Sequence, residues 1–588
     1  MKQFFKFMFA SVLGCMISGV ILFLIAIGIV ASLAALTDPP TVVKPNSVLI
    51  INLDGPITER TSKDPFATGG FGGFQTNPGL NDILNNIQKA ATDPNIKGIL
   101  LESTIVPASF TTLSEIRREL ARFRESGKFL IAYGDYYPQN TYYLASVAER
   151  VYVHPEGDVS LRGLHLQMVF LKGLLEKLDI ETQVIRYGKY KSAAEPLTRE
   201  DLSMENRLQI TEYANTLWNG IKTDIADSRG ITAEEVNRLA EGFLIVDPKK
   251  ALEYKLVDGL KYRDEVLTDL RQRLGIAQDA EINKIELAKY TKAPVIRDNP
   301  RLSRNKVAVI YAQGNIVTGE GDEQIIGSDC ISKAIREARE DKDVKAIVLR
   351  INSGGGSALA SDVILREVML ARQEKPIVAS MGAMAASGGY YIASRATKII
   401  ANPSTLTGSI GVIGLIPNME NFFNNKLGIA FDDVKTNTYA DFPPVDRAMR
   451  PDEIKIMENM VDRIYTTFIT HVAEARGLTT AQVDEIGQGR IWSGVDAKRI
   501  GLIDDLGGLE DAIRIAAELA GVGEDFRVTE LPVQKELIEL LLEDFQGGMV
   551  QRVIENKLGE NYRFYQYLQN AASFRGIQAR IPFEIEIN

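Results

Sequence analysis

The chain carries one unit written twice, and this limits its fold more than any other feature. Val344-Lys-Ala-Ile-Val-Leu349 repeats Ile96-Lys-Gly-Ile-Leu-Leu101, and Tyr390-Tyr-Ile-Ala-Ser394 repeats Tyr142-Tyr-Leu-Ala-Ser146. Asn402-Pro403 answers His154-Pro155, and all three pairs share a spacing of 248 residues. Self-similarity at one fixed spacing marks an internal duplication. In the first copy the apolar runs Val48-Leu-Ile-Ile-Asn52, Ile96–Leu101 and Lys128-Phe-Leu-Ile-Ala132 read as strands, and Ser114-Glu-Ile-Arg-Arg-Glu-Leu120 reads as a helix. Val307-Ala-Val-Ile310 and Pro376-Ile-Val-Ala-Ser380 are strands of the second. Leu256-Val-Asp-Gly-Leu260 echoes Leu502-Ile-Asp-Asp-Leu506 with a small slip in register. Strand–helix alternation in both copies predicts tandem α/β units.

The 588 residues are 45% hydrophobic and 24% charged, enough for several globular cores. A net charge of −10 gives no electrostatic footprint for nucleic acid. Residues 7–37 contain no charged side chain, which exceeds the roughly 20 residues needed to span a bilayer. Lys2 and Lys6 precede this run, so the N-terminus is expected in the cytoplasm and the remaining chain outside. The run is too long for a cleaved signal core, and an uncleaved anchor is expected. Cys15 and Cys330 imply no disulfide framework, and the apolar run follows Cys15 where a lipidation box would need it before. Gly69-Gly-Phe-Gly-Gly-Phe74 is a loop without the Lys-Ser/Thr of a phosphate cradle. Pro294 and Pro300 place a boundary within Ala293–Arg304. The expected organisation is 1–40 cytoplasmic tail and anchor, 41–299 first α/β domain, 300–525 second, and 526–588 a C-terminal tail available for oligomer contacts. In that tail, Glu536-Leu-Ile-Glu-Leu-Leu-Leu542 has an amphipathic helical pattern and Phe583-Glu-Ile-Glu-Ile587 alternates like a strand.

Met384-Ala-Ala-Ser387-Gly-Gly-Tyr-Tyr391 joins a strand to a helix through small residues. Such a turn exposes a hydroxyl and aims the first helical N–H groups at one spot, as a nucleophilic serine and its oxyanion require. Close packing of small residues on a sheet explains the same stretch without chemistry. A serine needs a base. His154, His165 and His471 lack an acidic partner in any local motif, and His154 sits at a turn position held by Asn402 in the other copy. A lysine serves instead when burial lowers its pKa. Tyr187-Gly-Lys-Tyr-Lys-Ser-Ala-Ala-Glu-Pro196 offers Lys189 and Lys191, either of which is equally well a solvated surface charge.

Four motifs together resemble one family. Tyr190-Lys191-Ser-Ala-Ala-Glu195-Pro196, Asn352-Ser-Gly-Gly-Gly-Ser357, Ala385-Ala-Ser387-Gly-Gly-Tyr-Tyr391 and Thr407-Gly-Ser409-Ile-Gly-Val412 are similar to those of the long, duplicated form of signal peptide peptidase A (protease IV). The resemblance covers nearly the whole chain. It implies two Clp protease/crotonase-like domains behind one transmembrane helix, and a serine endopeptidase that degrades cleaved signal peptides. It makes Ser387 the nucleophile, Lys191 the general base, Ser409 the group orienting the lysine, and the N–H groups of Gly355 and Gly388 the oxyanion hole. It further implies a homo-oligomer, a tetramer, in a bacterial inner membrane with the catalytic domains on the periplasmic side, and no metal or cofactor. Gly354 stands where the family has proline, which leaves that loop less constrained.

The duplication supplies a separate check. At the spacing of 248, Ser387 falls on Gln139, Gly355 on Pro107, which has no N–H, and Lys191 on Tyr439. Neither copy is complete, and the two are complementary. An inactive membrane scaffold or an acyl-CoA enzyme on the same fold are the rival readings. The intact Ser387, Lys191 and glycine run argue against the first, and an outward-facing domain without soluble coenzyme against the second.

Overall fold

The computed structural model describes residues 2–37, 41–62, 78–294, 303–534, 576–580 and 586–587. The Gly69–Phe74 loop and the helical pattern at Glu536–Leu542 lie outside the described residues. The N-terminal helix Lys2–Thr37 includes a window, Lys6–Ile25, with mean hydropathy 2.5 and no part of it buried in the protein. A helix this apolar with no protein face to cover it fits a membrane anchor.

Two parallel sheets form the centre of the molecule. In the first the strand order is Gly259–Leu260, Arg150–Val153, Phe129–Gly134, Ile96–Leu101, Ser47–Ile51 and Lys284–Glu286. In the second, Asp505–Leu506, Lys398–Ala401, Ile377–Ala386, Val344–Ser353, Lys306–Gln313 and Arg527–Leu531 follow the same order. The duplication read in the sequence is thus a duplication of strand order. The strands are continuous apolar runs because helices cover both faces, as parallel sheets demand. The helix Phe110–Glu125 shows how one is covered. Ser109 Oγ caps it by accepting from the Thr112 N–H, and Leu113, Ile116, Leu120 and Phe123 recur at helical spacing on its buried face. The second unit runs past residue 525, since Arg527–Leu531 is the edge strand beside Lys306–Gln313.

The second unit also departs from the first. Ile377–Ala386 is longer than its counterpart and forks. Val378–Met381 pair with Lys398–Ala401, and Met384–Ala386 pair with Leu406–Gly408. The fork opens at the end that carries Ser387.

A third sheet joins the halves. Its order is Ile325–Gly327, Asn315–Val317, Gly355–Ser357, Gly576–Arg580, Val412–Asn418 and Glu181–Tyr187. Glu181–Tyr187 belongs to the first half, yet it pairs antiparallel with Val412–Asn418 along its whole length. The C-terminal strand Gly576–Arg580, in the segment expected to make oligomer contacts, lies within this sheet of its own chain. Glu586–Ile587 pairs with Leu166–Gln167.

A buried ion cluster ties the halves again. Arg350 of the second sheet is 1% exposed and donates to Glu59 at 2.8 Å and to Glu115 at 2.6 Å, both from the first half. Arg350 also donates to Ser380, and Glu115 accepts from Asn402 and from the Leu509 N–H. Burial acts to strip the guanidinium of its proton, but the two carboxylates outweigh it and hold its pKa above the usual arginine value. An unpaired charge there would be prohibitive, so the cluster works only when both halves are present.

Candidate active site

Ser387 follows the strand Ile377–Ala386 and precedes the short helix Gly388–Ala393. Its backbone stands at φ 56°, ψ −115°, a region that side-chain-bearing residues seldom occupy and that costs about 1–3 kcal/mol. Two main-chain bonds hold it there. The Ser387 N–H donates to the Gly408 carbonyl at 2.8 Å, and the Ser387 carbonyl accepts from the Tyr391 N–H at 2.8 Å. Ser409, directly after the paired strand Leu406–Gly408, is also at positive φ and is fixed by its N–H to the Arg490 carbonyl. Both hydroxyls are thereby turned toward one point.

Lys191 reaches that point from the first half. It comes shortly after Glu181–Tyr187, the strand that crosses into the third sheet. Its Nζ lies 2.8 Å from Ser387 Oγ and 3.1 Å from both Ser409 Oγ and the Ser409 carbonyl oxygen. Lys191, Ser387 and Ser409 are all 0% exposed. Burial alone drives the Lys191 amine well below the ordinary lysine range. The three contacts fit the neutral amine. Its two N–H donors meet the Ser409 carbonyl and Ser409 Oγ, and its single lone pair accepts the Ser387 O–H. Lys189, the other lysine that the sequence left open, is exposed and lies near the Tyr190 ring.

The lysine's surroundings hold features that the sequence did not announce. A Cβ on Gly489, itself at φ +80°, would lie 2.6 Å from Lys191 Cα, so the lysine backbone packs on a position open only to glycine. Gln209 donates to the Tyr190 carbonyl and to Ser192 Oγ, and accepts from the Ile491 N–H. Buried Glu195 accepts from Ser203 and Asn206, pinning the turn after the lysine. Only Glu195 lay inside a recognised motif. No pattern in the duplication pointed to Gln209 or Gly489.

The glycine run is part of a strand. Gly355–Ser357 pairs with Gly576–Arg580 on one side, and Gly356 with Ile316 on the other. Gly355 is at φ +98°, and a Cβ on it would lie 2.6 Å from the Gly388 nitrogen. The two glycines are therefore neighbours at the serine. The Gly355 N–H donates to Ser353 Oγ at 3.1 Å, a bond it would share with any oxyanion. The equivalents in the opposite copies do other work. Gln139 of the first copy binds the backbone of Arg162 and Gly163, and Tyr439 of the second is exposed. His154 accepts from the Glu156 N–H in a turn, and His471 packs against Asp362 and Tyr391. Among the described residues, no group of three or more His, Cys, Asp or Glu side chains is placed to hold a metal ion.

Paired α/β units, with a serine at a strand-to-helix turn beside strands that take an extended segment between them, define the class: a serine-type peptidase. The chain belongs to peptidase family S49, whose model matches residues 122–277 and 369–523. It is similar to Protease 4 of Salmonella typhi, 37% identical over 450 residues, 75% of this chain and 72% of that protein. It is 32% identical to Protease 4 of Haemophilus influenzae over 570 residues, 92% of each chain. It is also 32% identical to the chloroplastic serine protease SPPA of Arabidopsis thaliana, over 92% of this chain and 78% of that protein.

Proposed function

We propose that the protein is a membrane-anchored endopeptidase in which Ser387 and Lys191 form a catalytic dyad, acting on apolar peptides such as cleaved signal peptides. The observation that carries this reading is the 2.8 Å contact between a fully buried lysine amine and a serine hydroxyl held at a strained turn. Neutral Lys191 takes the Ser387 proton as Oγ adds to the scissile carbonyl carbon. Ser409 holds the amine in line, and the Gly355 and Gly388 N–H groups receive the developing oxyanion. The lysinium then protonates the leaving nitrogen as the C–N bond breaks, and water, deprotonated by Lys191, releases the acyl group.

The substrate class rests on two supports. The third sheet seats the extended segment Gly576–Arg580 between Gly355–Ser357 and Val412–Asn418 with strand pairing on both edges, and an extended substrate in that place would gain the same main-chain bonds regardless of most of its side chains. Relatives include a putative signal peptide peptidase from Enterococcus faecium, 33% identical over 36% of this chain. With Lys2 and Lys6 holding the N-terminus in the cytoplasm, the domains work on the outer side of the membrane, where such remnants lie.

The test is peptidase assay of the detergent-solubilised protein on an apolar peptide beside Ser387→Ala, Lys191→Met and Lys189→Met. The first two variants should be inactive and the third active. Wild-type activity in Lys191→Met would reject the dyad.

A further inference from the structure

The strand that carries Ser387 breaks its pairing at one place. Residues 377–381 pair in register with residues 347–351, and pairing resumes with Ser353 opposite Ala385. Gly382, Ala383 and Met384 therefore face a single residue, Asn352. A bulge of this kind bends its strand and leaves main-chain groups unpaired. It is also where the strand changes neighbours, from Lys398–Ala401 to Leu406–Gly408. Ser387 follows directly on this second limb.

Asn352 closes the gap with its side chain. Its Oδ1 accepts from the Met384 N–H at 3.2 Å, and its Nδ2 donates to Glu59 Oε1 at 2.9 Å. A side-chain amide has one accepting end and one donating end, so the bond to Glu59 fixes which end meets Met384. Glu59 belongs to the first half and is buried. It also lies against the bulge. A Cβ on Gly382 would stand 2.7 Å from Glu59 Oε1, so only glycine leaves room for the carboxylate there. Thr405 Oγ1 donates to the Gly382 carbonyl at 2.7 Å and ties the bulge to the residue just before Leu406–Gly408. The first copy offers the contrast. At the spacing of 248, Thr104 stands for Asn352 and Gln139 for Ser387. There the second limb is reduced to one bridge, between Tyr137 and Val159. The amide and the full fork occur together, in the copy that has the serine.

We propose that Asn352, oriented by Glu59, is a positioning residue that sets the second limb of the fork and hence the place of Ser387 Oγ beside Lys191. This rests on the Ser387–Lys191 reading above. Glu59 comes from the same half as Lys191, so one carboxylate keys the nucleophile's strand to the half that supplies the base. Without the amide, the Met384 N–H loses this acceptor and the bulge relaxes. Ser387 Oγ then shifts, while Lys191 keeps its burial against Gly489 and its bonds to Ser409.

Steady-state kinetics of the full chain in detergent on an apolar peptide, measured across pH, test this. The variants are Asn352→Ala and Asn352→Thr, the second copying the first unit. Ser380→Ala is the control, since it removes a hydroxyl that accepts from Arg350 in the same buried cluster and leaves both bonds of the amide intact. A displacement of about 1 Å costs up to about 10²-fold, so kcat should fall about 10- to 10²-fold in both Asn352 variants. KM should hold, because Gly355–Ser357 and Val412–Asn418 are anchored by their own pairing with Ile316 and with Glu181–Tyr187. The basic limb of the pH profile should also stay in place, and Ser380→Ala should match wild type. Wild-type kcat in either Asn352 variant overturns the proposal, as does an equal fall in Ser380→Ala. A limb moved toward the ordinary lysine value overturns it too, because it would mean that the halves had loosened and wetted Lys191. Failure of both variants to fold would make Asn352 a residue that holds the fold and not the serine, and is equally fatal. An inactive wild type would instead reject the dyad itself, and this proposal with it.

Discussion

Lys191 Nζ stands 2.8 Å from Ser387 Oγ, although the two residues are 196 positions apart in sequence and belong to different copies of the duplicated unit. The strand Glu181–Tyr187 crosses into the third sheet and delivers the lysine there. Burial lowers the Lys191 pKa, where a neighbouring counter-ion would hold the amine protonated.

Peptidase activity should therefore depend on pH through one basic group that must lose its proton. Burial lowers the Lys191 pKa, so the neutral, competent form predominates from a lower pH than the ordinary lysine value of about 10.4 allows. A profile of kcat/KM should climb tenfold per pH unit in acid and level off well before that value. A limb still rising at about pH 10.4 would show that the amine keeps its ordinary pKa.

Lys191→Met should reduce turnover by roughly 10²–10⁴-fold, the usual worth of a general base. It should also make the protein more stable. At neutral pH the unfolded chain binds a proton at Lys191 that the folded chain, with its depressed pKa, holds less tightly, so this group's contribution to stability falls as pH falls. Methionine keeps the stem and removes that cost. The thermal midpoint at pH 7 should rise above wild type, with the gain narrowing toward about pH 10.4. A midpoint below wild type at pH 7 would contradict the burial argument.

Ser409→Ala removes one of the two groups to which the lysine amine donates. A hydrogen bond of this kind is worth about 0.5–1.5 kcal/mol, so kcat should fall up to about tenfold. KM should be unchanged, because Ser409 touches the lysine and not the strand slot. Steady-state kinetics separate the two parameters.

Gly355→Ala introduces a methyl group 2.6 Å from the Gly388 nitrogen, at a residue whose φ of +98° already resists a side chain. Loss of the oxyanion site should cost about 10²-fold or more in turnover. Circular dichroism should show a folded protein, and near-wild-type turnover would move the oxyanion site elsewhere.

Glu115→Ala strands the buried Arg350 guanidinium with one carboxylate in place of two and leaves the Asn402 amide and the Leu509 N–H without this acceptor. Removing one partner of a buried ion pair costs about 3–5 kcal/mol. Urea unfolding should show that loss, together with inactivity, because the cluster fastens the half that carries Lys191 to the half that carries Ser387.

The sequence by itself determined the units. Apolar runs recurring at 248 residues marked the strands and the α/β class, because periodicity and burial are local demands that each copy meets with the same residues. The small-residue turn at Ser387 was legible for the same reason, and the complementary gaps at Gln139, Pro107 and Tyr439 indicated that the chemistry was divided. The residue patterns alone left Lys189 and Lys191 equal. Tertiary structure decided between them, since two lysines two positions apart differ only in which one the crossing strand carries into the core and which it leaves in water. Arg350 with Glu59 and Glu115, Gln209, and the seat of Gly576–Arg580 were likewise invisible. Each depends on segments hundreds of residues apart meeting in a desolvated space, where an unpaired charge or an unfilled strand edge is too costly to leave, and no local pattern records where that space will be.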